Sequence, residues 1–234
     1  RLKEAAAARF EILVVADNCS DATAEIARRC GVDVTERIDP SRRGKGFALA
    51  HARERLRPSP PAVVLVLDAD CWTDGESLEQ LAAACVTLDR PCQAINLLEP
   101  SADAQPMVQI SSFAFLVKNL VRQRGLQRLT GHVHLTGTGM SLPWAAFDKA
   151  DLATSAIVED LRLGLEMAQS GAPPLLVEQS FVWSPHARFE DTLTQRSRWE
   201  GGYLALATSL APRLLVAAVA KGRLRATLAA LDLF

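Results

Sequence analysis

Short predicted strands alternate with helical patterns along the first 70 residues, and this order constrains the fold more than any other feature. The predicted strands are Ile12 to Ala16, Val32 to Ile38 and Val63 to Leu67. Between them, the segment Ala22 to Cys30 and the segment that begins at Gly44 are predicted helices. Strand–helix–strand–helix–strand order predicts right-handed βαβ units, and therefore an α/β protein with a mainly parallel sheet.

Two aspartates, Asp68 and Asp70, follow the last of these strands. Val63 to Leu67 is a short apolar run without polar alternation, which predicts a fully buried strand. Carboxylates just past the C-terminal end of such a strand lie where open α/β sheets bind ligands. An Asp-x-Asp pair can hold a divalent cation that in turn binds a diphosphate. Acidic residues also end many strands as ordinary turn formers, so the pair alone leaves both interpretations open.

The composition is that of an ordinary globular protein. The chain has 234 residues, 49% of them apolar and 23% charged, which is enough for one large α/β domain. A formal net charge of −1 gives no nucleic-acid signature. The longest apolar stretch, Tyr203 to Ala220, is interrupted by Pro212 and Arg213, so no complete transmembrane helix is expected.

Two segments place charges at predicted helix starts. Arg42-Arg43-Gly44-Lys45-Gly46 opens a helix with cations, which oppose the helix dipole but, together with free backbone amides, can form an anion cradle. A solvated basic loop is the alternative. Glu159 and Asp160 start another helix. They can simply complement the dipole there, or one of them can serve as a general base that takes a proton from a sugar hydroxyl.

Three further patterns are ambiguous by themselves. Gln195, Arg198 and Trp199 share one side of a predicted helix, which suits sugar stacking and phosphate contact but also suits a core-anchored helix. The segment Thr136 to Met140 contains Gly137 and Gly139, which permit close backbone approach to a ligand. His132 and His134 would share a strand face, and we expect satisfied histidines there in preference to a metal site.

These motifs, taken together, resemble the family 2 glycosyltransferases, in the branch that contains cellulose, hyaluronan and other membrane-bound polysaccharide synthases. The resemblance runs from about residue 11 to about residue 202 and rests on six motifs in order. They are Asp17-Asn-Cys-Ser-Asp21, Arg43-Gly-Lys-Gly-Phe47, Asp68-Ala-Asp70, Gly137-Thr-Gly139, Glu159-Asp160 and Gln195-x-x-Arg198-Trp199.

The resemblance implies a GT-A fold, with a Rossmann-like sheet flanked by helices, and inverting transfer of a hexosyl or N-acetylhexosaminyl group from a nucleoside-diphosphate sugar. A UDP-sugar is the favoured donor, and the acceptor is a saccharide or lipid-linked sugar. The resemblance implies that Asp160 is the catalytic base and that Asp70, with Asp68, binds Mg²⁺ or Mn²⁺. It implies donor or nucleotide binding by Asp17, Lys45, Asp68, Gly137 and Gly139, and diphosphate or acceptor binding by Gln195, Arg198 and Trp199. Arg43 and Glu159 would have secondary roles.

The chain departs from the family pattern at both ends. The first strand of the family is absent from the sequence, which begins in a predicted helix. We expect a catalytic domain over residues 1–202, followed by an apolar and basic interfacial helical segment over residues 203–234 that leads toward a membrane. The resemblance implies the cytoplasmic face of a bacterial inner membrane and a role in extracellular polysaccharide synthesis.

Three other functions compete with this one. A glycoside hydrolase also uses two carboxylates, but it needs neither the basic helix start nor Asp-x-Asp on a parallel strand. A nucleotidyltransferase can share the architecture and metal use, but Gln195-x-x-Arg198-Trp199 argues against it. A non-catalytic nucleotide-sugar-binding subunit or sensor of the same fold is the strongest alternative, although Asp68, Asp70 and Asp160 are all present.

Overall fold

The N-terminal part of the protein is a parallel pair of strands connected by a helix. The computed structural model describes residues 10–100, 105–154, 158–185, 201–205 and 207–234. Strand β1 (Leu13–Asp17) pairs with β2 (Asp33–Arg37) through helix α1 (Thr23–Arg29). The register sets Asp17 beside Arg37 where both strands end. Gly31 ends the α1 connection with a φ of 68°, which favours glycine.

The main sheet has four strands in the order β3-β5-β4-β6. They are β3 (Val63–Val66), β4 (Cys92–Leu98), β5 (Met140–Pro143) and β6 (Leu175–Ser184). β5 is antiparallel to both of its neighbours, whereas β4 and β6 are parallel, so three of the four strands run in one direction. The prediction of an α/β fold with a mainly parallel sheet is confirmed. The sequence from His134 to Leu142 fits a glycine-interrupted strand or a loop, and neither interpretation includes the reversed direction of β5.

Helices cover both faces of this sheet. They are α2 (Lys45–Leu56), α3 (Gly75–Leu88), α4 (Pro106–Leu116), α5 (Gln123–Thr130), α6 (Trp144–Lys149) and α7 (Glu159–Gln169), with α8 (Ala211–Ala220) and α9 (Leu224–Leu231) at the C-terminal end. Six residues of π-helix, Val117–Arg122, join α4 to α5. The helical run from Pro106 to Thr130 therefore contains a π-helical segment in its middle.

Two apolar clusters hold these layers together. On one face, Phe147 and Leu163 pack with Val66 and Leu142 of the sheet. On the other, Leu81 and Cys85 of α3 pack with strands β4 and β6. Burial of such side chains contributes roughly 1.5–3 kcal/mol each, so the two clusters fix α3 and α7 on the sheet. The start of α7 is thereby held at a defined place, and this matters for Asp160.

The C-terminal helices correct one expectation. The stretch Gly201–Ala220 is helical and is long and apolar enough to cross a membrane by length and composition. Pro212 lies in the first turn of α8, which begins at Ala211 after a turn at Leu210, and its missing N–H carries no cost there. Only 18% of its most apolar window is buried. Part of its buried side packs on α7, where Ala211 and Leu233 meet Leu161 and Leu165.

Candidate active site

The Asp-x-Asp pair lies directly after strand β3, at the C-terminal edge of the sheet. Asp68 is half-buried, and its backbone N–H donates to the hydroxyl of Thr138 at 3.1 Å. Asp70 is exposed. Ligand atoms of Asp68, Asp70 and Cys71 all lie within 4.8 Å of one another. Two carboxylates at this separation offer the oxygen ligands that Mg²⁺ and Mn²⁺ prefer, so the residues fit a divalent metal.

Lys45 joins this edge to the start of helix α2. It is the first residue of that helix, and Gly44 before it has a φ of 130°, which favours glycine. The Lys45 ammonium donates to a carboxylate oxygen of Asp68 and to the carbonyl oxygen of Gly137, the latter at 2.6 Å. Arg43, two residues earlier, is exposed. The basic helix start is therefore part of the site, with Lys45 directed into it.

The second glycine of that segment permits close packing. A Cβ atom at Gly46 would lie 2.3 Å from the carbonyl oxygen of Leu152 and 2.8 Å from that of Thr154. Both neighbours are backbone atoms, which cannot move aside as a flexible side chain can. Gly46 therefore lets the start of α2 lie against the backbone that precedes α7, and this brings Lys45 toward Asp160.

Asp160 reaches the same place from the start of α7. A Cβ atom at Gly137 would lie 3.2 Å from Oδ2 of Asp160 and 3.6 Å from Nζ of Lys45. Oδ1 of Asp160 accepts a hydrogen bond from the N–H of Leu161 at 2.8 Å. A cleft lined in part by Lys45, Glu159 and Asp160 lies here. Four segments that are distant in sequence thus meet around Lys45, Asp68, Gly137 and Asp160.

Burial makes the two acidic residues in the first turn of α7 stronger bases than usual. Desolvation raises the pKa of Asp160, and the hydrogen bond from Leu161 and the charges of Lys45 and Lys118 oppose this only in part. Desolvation also raises the pKa of Glu159. A carboxylate whose pKa is raised toward the working pH is better suited to accept a proton in catalysis.

The comparison with known families fits this geometry. Residues 2–202 match the family described as "Glycosyltransferase like family 2". The chain belongs to this family. Comparison with curated proteins gives no match.

Solved structures show the same fold at low sequence identity. The chain is 16% identical to a mycobacterial protein of known crystal structure with a TM-score of 0.50, which covers 86% of this chain and 63% of the other. It is 12% identical to GalNAc-T7 crystallised with UDP, GalNAc and Mn²⁺, also with a TM-score of 0.50. This match covers 76% of the present chain and 38% of GalNAc-T7. It is 14% identical to glucosyl-3-phosphoglycerate synthase from Mycobacterium tuberculosis, with a TM-score of 0.49, and the match covers 82% of this chain and 67% of the synthase. The family match and the mycobacterial structure with a TM-score of 0.50 confirm the GT-A-like α/β fold.

The first motif of this family 2 chain has a partner that the sequence did not indicate. Asp17 accepts a hydrogen bond from Arg37 at 2.6 Å, and Arg37 also donates to Asp39 and stacks over the ring of Phe47. Sequence analysis missed Arg37, although its position at the end of the neighbouring strand was a usable signal. Asp17 lies on the two-stranded sheet, and its proposed contact with the nucleobase stays a prediction.

Gly139, unlike Gly137, lies inside the sheet. A Cβ atom there would lie 2.9 Å from Cγ2 of Val182 and 3.1 Å from Cβ of Ala94, and its carbonyl oxygen accepts a hydrogen bond from the N–H of Ala94 at 2.8 Å. Close packing between strands explains this glycine without a ligand. Its predicted contact with the donor sugar is not tested by this placement.

Lys118 is a second residue that sequence analysis missed. It lies on the π-helical segment, and its charge lowers the pKa of Asp160 in opposition to burial. Desolvation lowers the pKa of Lys118 itself. No sequence signal marks it, because a π-helical segment has no simple sequence motif. π-Helical turns of this kind are frequent at functional sites.

The remaining predicted residues fall in two groups. Gln195, Arg198 and Trp199 lie outside the described residues, so their roles stay predictions. His132 and His134 are buried side by side, with ring centroids 6.4 Å apart. His134 is hydrogen-bonded to Asp232 at 2.7 Å, as expected of a satisfied histidine. Burial lowers the pKa of His132 to about 4.

Proposed function

We propose that this chain is the catalytic part of an inverting glycosyltransferase. It transfers a hexosyl or N-acetylhexosaminyl group from a nucleoside-diphosphate sugar, with a UDP-sugar favoured, to the hydroxyl of a saccharide or lipid-linked acceptor. The observation that carries this proposal is the close approach of Lys45, Asp68, Gly137 and Asp160, with Lys45 and Asp160 also lining one cleft. Each comes from a different motif, and a chance surface cluster would not combine a metal-binding pair, a cation and a desolvated base.

Asp160 performs the proton transfer in this proposal. Its ionised carboxylate takes the proton of the acceptor hydroxyl while that oxygen forms a bond to the anomeric carbon, and the bond from that carbon to the diphosphate breaks. The raised pKa of Asp160 favours the proton transfer. Lys45 lies near the opposite charge that develops on the diphosphate, which it stabilises as a fixed cation.

Asp68 and Asp70 are the residues that would hold a divalent metal, Mg²⁺ or Mn²⁺. When bound, the metal neutralises charge on the leaving diphosphate. The structure of GalNAc-T7 contains Mn²⁺ with UDP, which makes Mn²⁺ and UDP-sugars the first choices for testing. Lys45 holds Asp68, so this carboxylate is oriented before any metal binds.

We further propose membrane location on the cytoplasmic face, in the polysaccharide-synthase branch of the family. The apolar helical stretch Gly201–Ala220 supports a membrane contact at the C-terminal side. The Gln195-x-x-Arg198-Trp199 motif supports polymer synthesis by resemblance alone. Product analysis of the full-length enzyme in membranes with a panel of UDP- and GDP-sugars tests both the donor and the polymer.

A non-catalytic nucleotide-sugar-binding subunit is the competing function, and Asp160 distinguishes the two. The variant Asp160→Asn keeps the shape of the side chain but cannot accept the proton. We expect it to bind UDP-sugar within about threefold of wild type by calorimetry and to lose transfer by about 10²- to 10⁴-fold. Glu166→Gln on the same helix is the matched control and should retain transfer. Equal transfer by Asp160→Asn and wild type would exclude Asp160 as the base.

A further inference from the structure

Helix α4 and the π-helical segment carry an exposed apolar stripe. It consists of Met107, Ile110, Phe113, Val117 and Val121, whose side chains are between 38% and 68% exposed. Their spacing of three or four residues places them along one side of the helix. Side chains of this size in one continuous row form a surface that soluble proteins rarely leave open to water.

The core does not account for this stripe. The other side of the same helix faces the sheet, where Val108 and Asn119 are buried and Leu120 packs near Ile95 and Val133. The nitrogen Nδ2 of Asn119 donates to the carbonyl oxygen of Asn96 on β4 at 3.2 Å. The helix is therefore fully anchored by one side, and the apolar residues of the stripe are free for a second contact.

Basic side chains predominate in the chain segments around the stripe. Residues 105–147 and 201–231 contain eight lysines and arginines and no aspartate or glutamate, whereas the rest of the chain has 27 acidic against 18 basic side chains. Exposed members of this basic set are Arg128, Arg213, Lys221, Arg223 and Arg225. Within the described ranges, none of these five forms an ion pair with an acidic side chain.

These two stretches of chain are also joined in space. Arg122, next to Val121 of the stripe, donates to both carboxylate oxygens of Asp232 at 2.9 and 3.0 Å. Asp232 directly follows the exposed Leu231 of α9. Nη1 of Arg225 lies 3.7 Å from where a Cβ atom of Gly131 would be, at the end of α5. The apolar stripe thus continues toward the C-terminal helices.

We propose that the α4 stripe, together with helices α8 and α9, is a docking face for the headgroup region of an anionic lipid bilayer. This inference rests on the membrane location proposed above but not on the transfer chemistry. Apolar side chains would enter the boundary between headgroups and acyl chains, and the surrounding basic groups would contact anionic headgroups. A two-fold contact between two copies of this face is disfavoured, because it would set basic groups against basic groups.

The face adjoins the catalytic cleft. Leu161, which directly follows Asp160 on α7, packs with Ala211 of helix α8 and with Leu233. Docking would therefore hold the catalytic carboxylate close to the depth of the headgroups. A lipid-linked acceptor presents its hydroxyl at that depth, so the geometry favours this acceptor class over a free saccharide.

Photocrosslinking on the full-length protein in vesicles tests the docking face. The photoreactive residue p-benzoylphenylalanine replaces Phe113, which is exposed and aromatic, and separately replaces Ile38, which is 77% exposed at the end of β2 as a matched control. Vesicles contain phosphatidylcholine alone or with 30% phosphatidylglycerol. We expect lipid adducts at position 113 at least about fivefold above those at position 38, and a higher yield in the anionic vesicles.

Each result decides the proposal. Lipid adducts at position 113 no more abundant than at position 38, or adducts to another polypeptide instead, would overturn the docking face. An equal yield of lipid adducts with and without phosphatidylglycerol would overturn the preference for anionic lipid. Flotation of the unmodified protein with the vesicles is measured in parallel. If the protein floats but the variant with the photoreactive residue at position 113 gives no lipid adducts, only the docking face is contradicted. Protein that does not float contradicts the membrane location as well, and transfer to a soluble acceptor reports on the chemistry alone.

Discussion

Nζ of Lys45 donates a hydrogen bond to the carbonyl oxygen of Gly137 at 2.6 Å, although 92 positions separate the two residues in sequence. The same ammonium group pairs with Asp68. Lys45 therefore connects the basic helix start, the glycine loop and the Asp-x-Asp edge. The arrangement of the site depends on this cation more than on any other described side chain.

Replacing Lys45 should weaken donor binding. Lys45→Met keeps most of the side-chain length but removes the charge and both hydrogen bonds. Hydrogen bonds to charged groups contribute about 1.5–3 kcal/mol, so we expect UDP to bind about 10- to 100-fold more weakly by calorimetry. Arg43→Met removes an exposed cation from the same segment and serves as the control. Unchanged binding by Lys45→Met would remove Lys45 from the nucleotide site.

Two glycine substitutions should have opposite effects on stability. Gly46→Ala places a Cβ atom against backbone carbonyl oxygens, and we expect it to lower the free energy of unfolding by about 1–3 kcal/mol. Gly125→Ala meets no atom within 4 Å inside helix α5 and should raise that free energy by about 0.5–1 kcal/mol. Urea denaturation of both variants measures the difference. A stable Gly46→Ala variant would contradict the close approach of α2 to residues 152–154.

The pKa of Asp160 should be visible both in rate and in stability. Because burial raises this pKa, kcat/KM should fall on the acidic side at a pH above the ordinary aspartate value of about 4. Above the raised pKa, the ionised carboxylate destabilises the folded state. Asp160→Asn should therefore unfold at a higher temperature than wild type at pH 7.

The higher stability of Asp160→Asn should shrink as the pH falls through the raised pKa of Asp160. It should vanish below the ordinary aspartate pKa of 3.8, where the carboxyl is protonated in both the folded and the unfolded state. Thermal unfolding from pH 3 to pH 8 checks this course. A wild-type protein more stable than Asp160→Asn at pH 7 would contradict a desolvated carboxylate.

Removing Asp70 should weaken metal binding. We expect Asp70→Ala to reduce Mn²⁺ affinity by about tenfold or more, measured by the loss of the free Mn²⁺ electron paramagnetic resonance signal during titration. Asp33→Ala, an exposed aspartate on β2, is the control for nonspecific loss of negative charge. Equal Mn²⁺ affinity in both variants would place the metal elsewhere.

Asp232 should stabilise the attachment of the C-terminal helices. It accepts hydrogen bonds from Arg122 and is bonded to His134. Burial alone would raise the pKa of Asp232, but these hydrogen bonds outweigh it and the pKa is lowered. We expect Asp232→Asn to lower the free energy of unfolding by about 1–2 kcal/mol at pH 7.

The folded state favours the ionised form of Asp232. The difference in free energy of unfolding between wild type and Asp232→Asn should therefore persist above the pKa that Asp232 has in the unfolded chain, and it should disappear as the pH falls through the lower pKa of the folded state. Chemical denaturation at pH 7 and pH 3 measures it. Asp148→Asn, which removes an exposed ion pair with Arg57, should cost less than about 1 kcal/mol. Equal losses in the two variants would mean that the Asp232 contacts contribute no more than a surface pair.

The strands and their acidic ends were predictable because their signals are local. Val63 to Leu67 is apolar without interruption, which indicated a strand with the aspartates after it at a sheet edge. The prediction of full burial was wrong, because β3 is the outer strand of its sheet and only Val66 is buried. β5 was harder to predict, because its four residues follow two glycines and run against their neighbours. The direction of a strand within a sheet depends on the path of the chain through space, and a four-residue sequence pattern does not indicate that path.

Sequence by itself determined the α/β class, the order of strands and helices, and the residue types available for the chemistry, since hydrophobic periodicity and glycine positions act over a few residues. Only the tertiary structure decided that Lys45 binds Asp68, that Arg37 binds Asp17, and that Gly137 lies close to Asp160. It also decided that Gly46 and Gly139 serve packing. These relationships join segments far apart in the chain, and they arise from how helices pack on the sheet, which no local pattern encodes.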